Sequence, residues 1–241
     1  ICIKYIKPFV CRLSFIVTYK HYILQKNMKN KTLTYIPGMW TFDFGNRTGS
    51  LLQDLLRSMT QDESAKRTEY NGFQTASLQD LFLFWSKMHK LSKSEEEGVR
   101  ESVESARQFI KGAMRNNHLT TQTRVYYNPL TQKDAIIHDY TTQRATKKEI
   151  DFVGPDGEIQ KVLSSKQCLA LTGKSPKDVK AIINYLTEIS GYTWRVNQKP
   201  ENIDERVVGL NECSDSLYLY CCRGPKYERA SFGVRWTEKT F

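Results

Sequence analysis

Apolar residues recur along this chain with two different periods, and the switches between them mark its predicted elements. The stretch 35–46, rich in aromatic residues and containing Pro37 and Gly38, alternates like a short strand after a turn. Leu51, Leu52, Leu55, Leu56 and Met59 then share a helical face behind a Ser50 cap, which predicts a first amphipathic helix. The polar run 61–74 reads as a loop. A second helix over 78–91 starts at a Ser77 cap. Leu81, Phe82, Phe84, Trp85 and Met88 make it broadly apolar, so it is expected to be central. A third begins near Ser94, where Glu95, Glu96 and Glu97 suit the positive end of the helix dipole, and runs through Val99, Val103, Ala106, Phe109, Ile110 and Met114 to about Asn116.

From there the period falls to two. Segments 124–127 and 135–140 flank a turn at Asn128-Pro129, and 149–153 and 158–163 flank Gly154-Pro155-Asp156-Gly157. This arrangement predicts a four-stranded antiparallel meander. A short helix over 165–171 and a longer one over 175–189 follow. Ser175 caps the longer one, Pro176 fits its first position, and Val179, Ile182, Ile183 and Leu186 form its apolar face. Strands are predicted at 192–196, 206–210, 217–222 and 231–236. The pattern is that of an α+β protein, with N-terminal helices and an antiparallel β-meander leading into a strand-rich end.

At 241 residues with 39% apolar composition, the chain can bury an ordinary core without staples. Cys2, Cys11, Cys168, Cys213, Cys221 and Cys222 show neither a regular framework nor the short spacing of a metal turn. No metal and no cofactor is expected, and the cysteine usage reads as that of a reducing compartment. The net charge of +10 is uneven: residues 1–27 hold Lys4, Lys7, Arg12, Lys20 and Lys26 with no acid. The remainder carries 31 basic against 26 acidic residues, which mostly signals solubility. Arg12 interrupts the apolar run that follows the basic start, so neither a signal peptide nor a membrane span is expected. Two readings of 1–27 stand: translated upstream sequence before a natural start at Met28, or a basic tail ordered by packing. The chain thus divides into a tail over 1–27, a helical and meander region over 28–163, and a last part over 164–241.

Candidate chemistry is sparse. His21, His89, His118 and His138 stand apart, and strand neighbours such as His138 and Asp139 point to opposite faces. No phosphate loop, dinucleotide fingerprint, nucleophile elbow or metalloprotease motif occurs, so the chain is read as non-catalytic. In 216–222, alternation sends Leu217, Leu219 and Cys221 to one face and Tyr218, Tyr220 and Cys222 to the other. The first set reads as core. The second presents two tyrosines beside a loop holding Arg223, Lys226, Tyr227, Glu228 and Arg229, and Tyr with Arg is the composition of a binding surface.

Trp194-Arg195-Val196, then Asp204-Glu205-Arg206-Val207-Val208-Gly209-Leu210, and the ending Ala230-Ser231-Phe232-Gly233-Val234-Arg235 resemble the C-terminal part of C-type lectin-fold proteins. Among these the pattern is similar to the variable proteins diversified by retroelements in phages, bacteria and archaea. The resemblance implies a C-type lectin-like part over 164–241 that displays variable side chains to a protein or surface ligand. It places the ligand surface at Asn211, Cys213, Tyr218, Tyr220, Cys222, Tyr227 and Arg229, with Leu210, Leu217, Leu219 and Phe232 as scaffold. The calcium-site and disulfide patterns of secreted lectins are not present. A cytoplasmic location is expected, or a virion-associated one for a viral protein. The retroelement version predicts a near-duplicate of the 3′ end of the coding DNA beside a reverse-transcriptase gene. A second reading is a basic nucleic-acid-associated or assembly protein, motivated by the tail and by Lys147, Lys148, Lys174, Lys177 and Lys180. A third is an enzyme built around His118 or His138.

Overall fold

The computed structural model describes residues 33–36, 38–66, 72–131, 133–140, 146–213 and 215–240. Residues 1–27, read above as a basic tail, lie outside these, as do Cys2, Cys11 and His21. The aromatic stretch forms a hairpin of β1 (Leu33–Ile36) and β2 (Met39–Asp43), with Gly38 at φ +87° in the turn, a conformation that favours glycine.

The predicted helix with Leu51 to Met59 is instead a thirteen-residue strand, β3 (Arg47–Met59). The doublet spacing explains the difference. Four is an even number, so Leu51 and Leu55 share one face of a strand and Leu52 and Leu56 the other. Leu51 is fully buried and Leu55 packs against the core, while Leu52 and Leu56 both sit against Gly233. Hydrogen bonding to β2 on one side and to β12 (Arg229–Glu238) on the other decides for the strand, over local helical propensity. The polar run after it, read as a loop, contains α1 (Gln61–Lys66) and β4 (Gln74–Thr75).

Both helices expected over the middle of the chain form, the first at its Ser77 cap and the second starting at Glu97, later than the expected start near Ser94 and without a side-chain cap. α2 (Leu78–Leu91) starts at a Ser77–Asp80 capping box and buries Leu78, Leu81, Phe82, Phe84, Trp85 and Met88. α3 (Glu97–Asn116) turns Val99, Val103, Ala106, Ile110 and Met114 inward. β5 (Leu119–Tyr127), β6 (Ala135–His138) and β7 (Thr146–Glu149) make an antiparallel ladder. The expected fourth strand of the meander does not join it. Instead β8 (Gly157–Glu158) pairs with β9 (Ser190–Trp194) and passes directly into α4 (Ile159–Val162). Two capped helices follow, α5 (Ser165–Thr172) and α6 (Pro176–Thr187), then β9, β10 (Asp204–Glu212), β11 (Ser216–Arg223) and β12.

All twelve strands among the described residues belong to one mixed sheet, whose main path runs β1-β2-β3-β12-β5-β10-β11-β9-β8. This overturns the expected class of N-terminal helices and meander followed by a C-type lectin-like part. β12 pairs with β3 from the other end of the chain, β10 pairs with β5, and β9 lies parallel to β11. β10 and β12 therefore find hydrogen bonds in earlier parts of the chain, which sequence order conceals. Buried residues from Leu33 to Val234 form one apolar cluster, with α2, α3 and α6 packed on one another and onto the sheet. Gly191 lets α6 and α4 pack close on β9: a methyl group there would meet Ile183 at 2.5 Å and Ile159 at 2.9 Å. Among the described residues no helix is long and apolar enough to cross a membrane.

Candidate ligand-binding face and cleft

β11 is two-sided, as its alternation predicts. Leu217, Leu219 and Cys221 are fully buried, whereas Tyr218, Tyr220 and Cys222 are only half-buried on the other face. The parallel register with β9 sets Tyr218 beside Tyr192 and Tyr220 beside Trp194. Thr193, between these two rings in sequence, points inward and donates to the Leu219 carbonyl. A bent row of rings results, in which Trp194 folds back to 6.5 Å from Tyr218. Trp194 and Tyr192 have centroids 5.6 Å apart, Tyr192 and Tyr218 5.6 Å, Tyr218 and Tyr220 6.0 Å, and Tyr220 and His118 5.9 Å. Trp194 remains 39% exposed, so the row is open to solvent at a large apolar ring.

The row ends in a cleft. To pass from β11 to β12, residues 224–228 must cross β10 and β5, three inter-strand steps of about 4.8 Å each. Beneath that crossing is a cavity of about 60 Å³. His118 and Thr120 line it from the start of β5, Gly209 from β10, and Tyr220 and Arg223 from β11. Tyr227 and Arg229 close it from the crossing. The pairing of β10 shifts between Val207 and Gly209 against both neighbours, a bulge that falls at the cleft wall. A methyl group on Gly209 would stand 2.8 Å from the Leu119 carbonyl oxygen, so only glycine permits this approach of β10 to β5.

The electrostatics of the cleft are one-sided. The Arg223 guanidinium lies 5.3 Å from the Tyr220 ring centroid and 5.9 Å from that of Tyr227, and Arg229 lies 5.7 Å from Tyr227. Partial burial, then the charges of Arg229 and Arg223, hold the His118 imidazole below its ordinary pKa of 6.5. Burial raises the Tyr220 phenol and the Cys222 thiol. Among the described residues no carboxylate and no cysteine lines the cleft. The arrangement can hold an anion and an aromatic or apolar ring.

Of the residues expected to form the ligand surface, Tyr220, Tyr227 and Arg229 meet in the cleft, and Tyr218 adjoins them in the ring row. The Tyr218 hydroxyl donates to Asp215 over 3.0 Å, which raises its pKa. Cys222 lies on the same face of β11. Cys213 is exposed beside Asn211, with its Sγ 3.1 Å from the Asn211 Oδ1. Asn211 stands apart: it is buried, and its amide donates to the carbonyls of Met114 and Asn117 at the end of α3. Tyr192, Trp194, His118 and Arg223 complete the face and were not among the expected site residues. The first two had a signal, since alternation alone puts Tyr192 and Trp194 on one side of a strand. His118 had none, because its partner ring is a hundred residues away in sequence.

Other candidates are packed as structure. His138 is buried, with Nδ1 against Thr123 Oγ1 and Nε2 donating to the Ala170 carbonyl. Lys147 and Lys148 are exposed on β7, and Lys174, Lys177 and Lys180 lie at the α5–α6 turn and on α6; none lines the cleft. Among the described residues no three His, Cys, Asp or Glu side chains are grouped to hold a metal ion.

Fold and face together define a mixed-sheet protein of strands and helices with an open aromatic strand face ending in a basic cleft. A scan against protein-family models, a search of curated proteins and a search of solved structures each found no match.

Proposed function

We propose that this chain is a non-catalytic binding protein whose ligand lies on the outward face of β9 and β11 and reaches into the cleft beneath the β11–β12 crossing. The observation that carries the reading is the ring row Trp194, Tyr192, Tyr218, Tyr220 and His118, half-exposed and ending at two arginines. Rigid rings with polar tips give large contact area at low entropic cost, which is why they dominate binding hot spots. The cleft lining supplies no carboxylate or thiol for chemistry, which favours binding over catalysis.

The retroelement-diversified version of this reading concerns the outward positions Tyr218, Tyr220, Cys222, Tyr227 and Arg229. It is favoured by their alternation with buried scaffold, and it stands or falls on the repeat expected in the coding DNA. It no longer draws on a lectin-like scaffold.

The binding role is tested on an array of immobilised glycans, peptides and nucleic acids, probed with the parent chain and with the Tyr218→Ala/Tyr220→Ala variant. The expected result is at least one ligand bound by the parent and lost, by about tenfold or more, in the variant at unchanged Tm. An array on which nothing binds, or on which binding survives the substitutions, contradicts the proposal.

A further inference from the structure

The ring row has a step and a charge that select among ligands. Successive centroids from Trp194 to His118 lie 5.6–6.0 Å apart. Bases stacked in a duplex lie only about 3.4 Å apart and cover one another's faces, whereas these tilted rings turn back at Trp194 and suit a flexible strand whose bases are splayed and stack singly on side chains. At one end of the row Arg223 and Arg229 face a cavity with no carboxylate in its lining. Each guanidinium lies near a tyrosine ring, and although Arg229 Nη1 donates to the Glu228 carbonyl at 2.7 Å, its other N–H groups can reach phosphate oxygens together with those of Arg223. A glycan would need carboxylates or amides around the rings. Of the two such groups flanking β11, Asp215 accepts from the Tyr218 hydroxyl and the Asn211 amide donates to the end of α3.

We infer that the ligand of this face is a single-stranded nucleic acid, with bases stacked along Trp194, Tyr192, Tyr218, Tyr220 and His118 and phosphates held by Arg223 and Arg229. This rests on the binding role proposed above and names its ligand class. Each base presents a π-face to a ring, so recognition tolerates sequence and requires the strand to be unpaired. The basic cleft sets the polarity of the complex by fixing phosphates at one end. His118 closes the row beside both arginines, and a phosphate bound there raises the imidazole pKa from its present lowered position.

The test is fluorescence anisotropy of the full chain with a fluorescein-labelled single strand of about ten nucleotides, the size of one stacking platform. Tyr218→Ala and Tyr220→Ala are each expected to weaken binding by about tenfold, and Tyr218→Phe, which keeps the ring, to bind as the parent does. In Arg229→Gln the log–log salt slope is expected to shrink by about 0.7, one phosphate on a single strand. A duplex of the same sequence should bind more weakly. Thermal melting of each variant separates lost binding from lost folding. The inference is overturned by no binding at low salt, by equal binding of the duplex, or by binding indifferent to the tyrosine substitutions, which would assign it to basic stretches elsewhere. If the strand does not bind but a glycan or peptide does and is lost in Tyr218→Ala/Tyr220→Ala, the nucleic-acid inference fails and the binding role stands. If no ligand of any class depends on those rings, both fail.

Discussion

At position 138 a buried imidazole ties folding to pH. The Ala170 carbonyl can only accept, so Nε2 carries the proton and Nδ1 accepts from the Thr123 hydroxyl 2.9 Å away. Burial pushes the His138 pKa from 6.5 down to about 4. As pH falls the unfolded chain takes up this proton first, so stability is full above about pH 6.5 and is lost progressively toward pH 4. At about 1.36 kcal/mol per unit the difference is worth about 3 kcal/mol. His138→Gln removes the titration. Urea denaturation should therefore show a smaller loss of stability between neutral pH and about pH 4 in the variant than in the parent; superimposable pH profiles would contradict this. At the same scale the sequence showed which tyrosines of β11 face outward, because alternation is local. That Asn211 turns inward to the end of α3 depends on a helix a hundred residues earlier, which no local pattern reports.

Among the elements, one side chain reaches several points of the segment from Phe152 to Val162. Arg195, just past β9, is buried, and its guanidinium donates to the carbonyls of Pro155, Phe152 and Val162 at 2.9–3.4 Å. Its own backbone N–H is accepted by Asp156 at 2.7 Å. The planar fork reaches several acceptors at once, which a single ammonium cannot do. Arg195→Met leaves these carbonyls unpaired and is expected to cost about 3 kcal/mol or more in chemical denaturation, with Arg195→Lys giving little rescue. A loss below about 1 kcal/mol would show that the segment is held by other contacts. Two elements with caps were legible in the sequence: Ser77 and Ser175 each bond the backbone of their helix as the cap chemistry requires. β3 was not, since its leucine doublets satisfy a helix face and a two-sided strand alike. The first half of β5 was missed for a different reason. Thr120, Thr121, Gln122, Thr123 and Arg124 are polar yet buried, and distant elements bond several of them. Thr121 donates to the Val208 carbonyl, and Arg124 is clasped by Gln61, Asp62 and Glu205 with Tyr140 beneath it.

For the whole molecule, one sheet joins the two ends of the chain, and the cleft arises where that joining occurs. β12 must reach β3 and β5 from β11, so its connection crosses β10 and β5 and brings Tyr227 and Arg229 over Gly209 and His118. The face and the crossing are thus products of topology. The sequence contained the side chains but not the pairing that assembles them. The account's central claim is that binding occurs on this face. Hydroxyl-radical footprinting of the full chain, with and without the tightest ligand from the array, tests it most directly. Trp194, Tyr218, Tyr220 and Tyr227 should become protected, while the exposed side chains of Leu130, Leu169 and Ile203 outside the row and cleft should react as before. Protection at those three residues with the four rings unchanged would place the binding surface elsewhere and contradict the account.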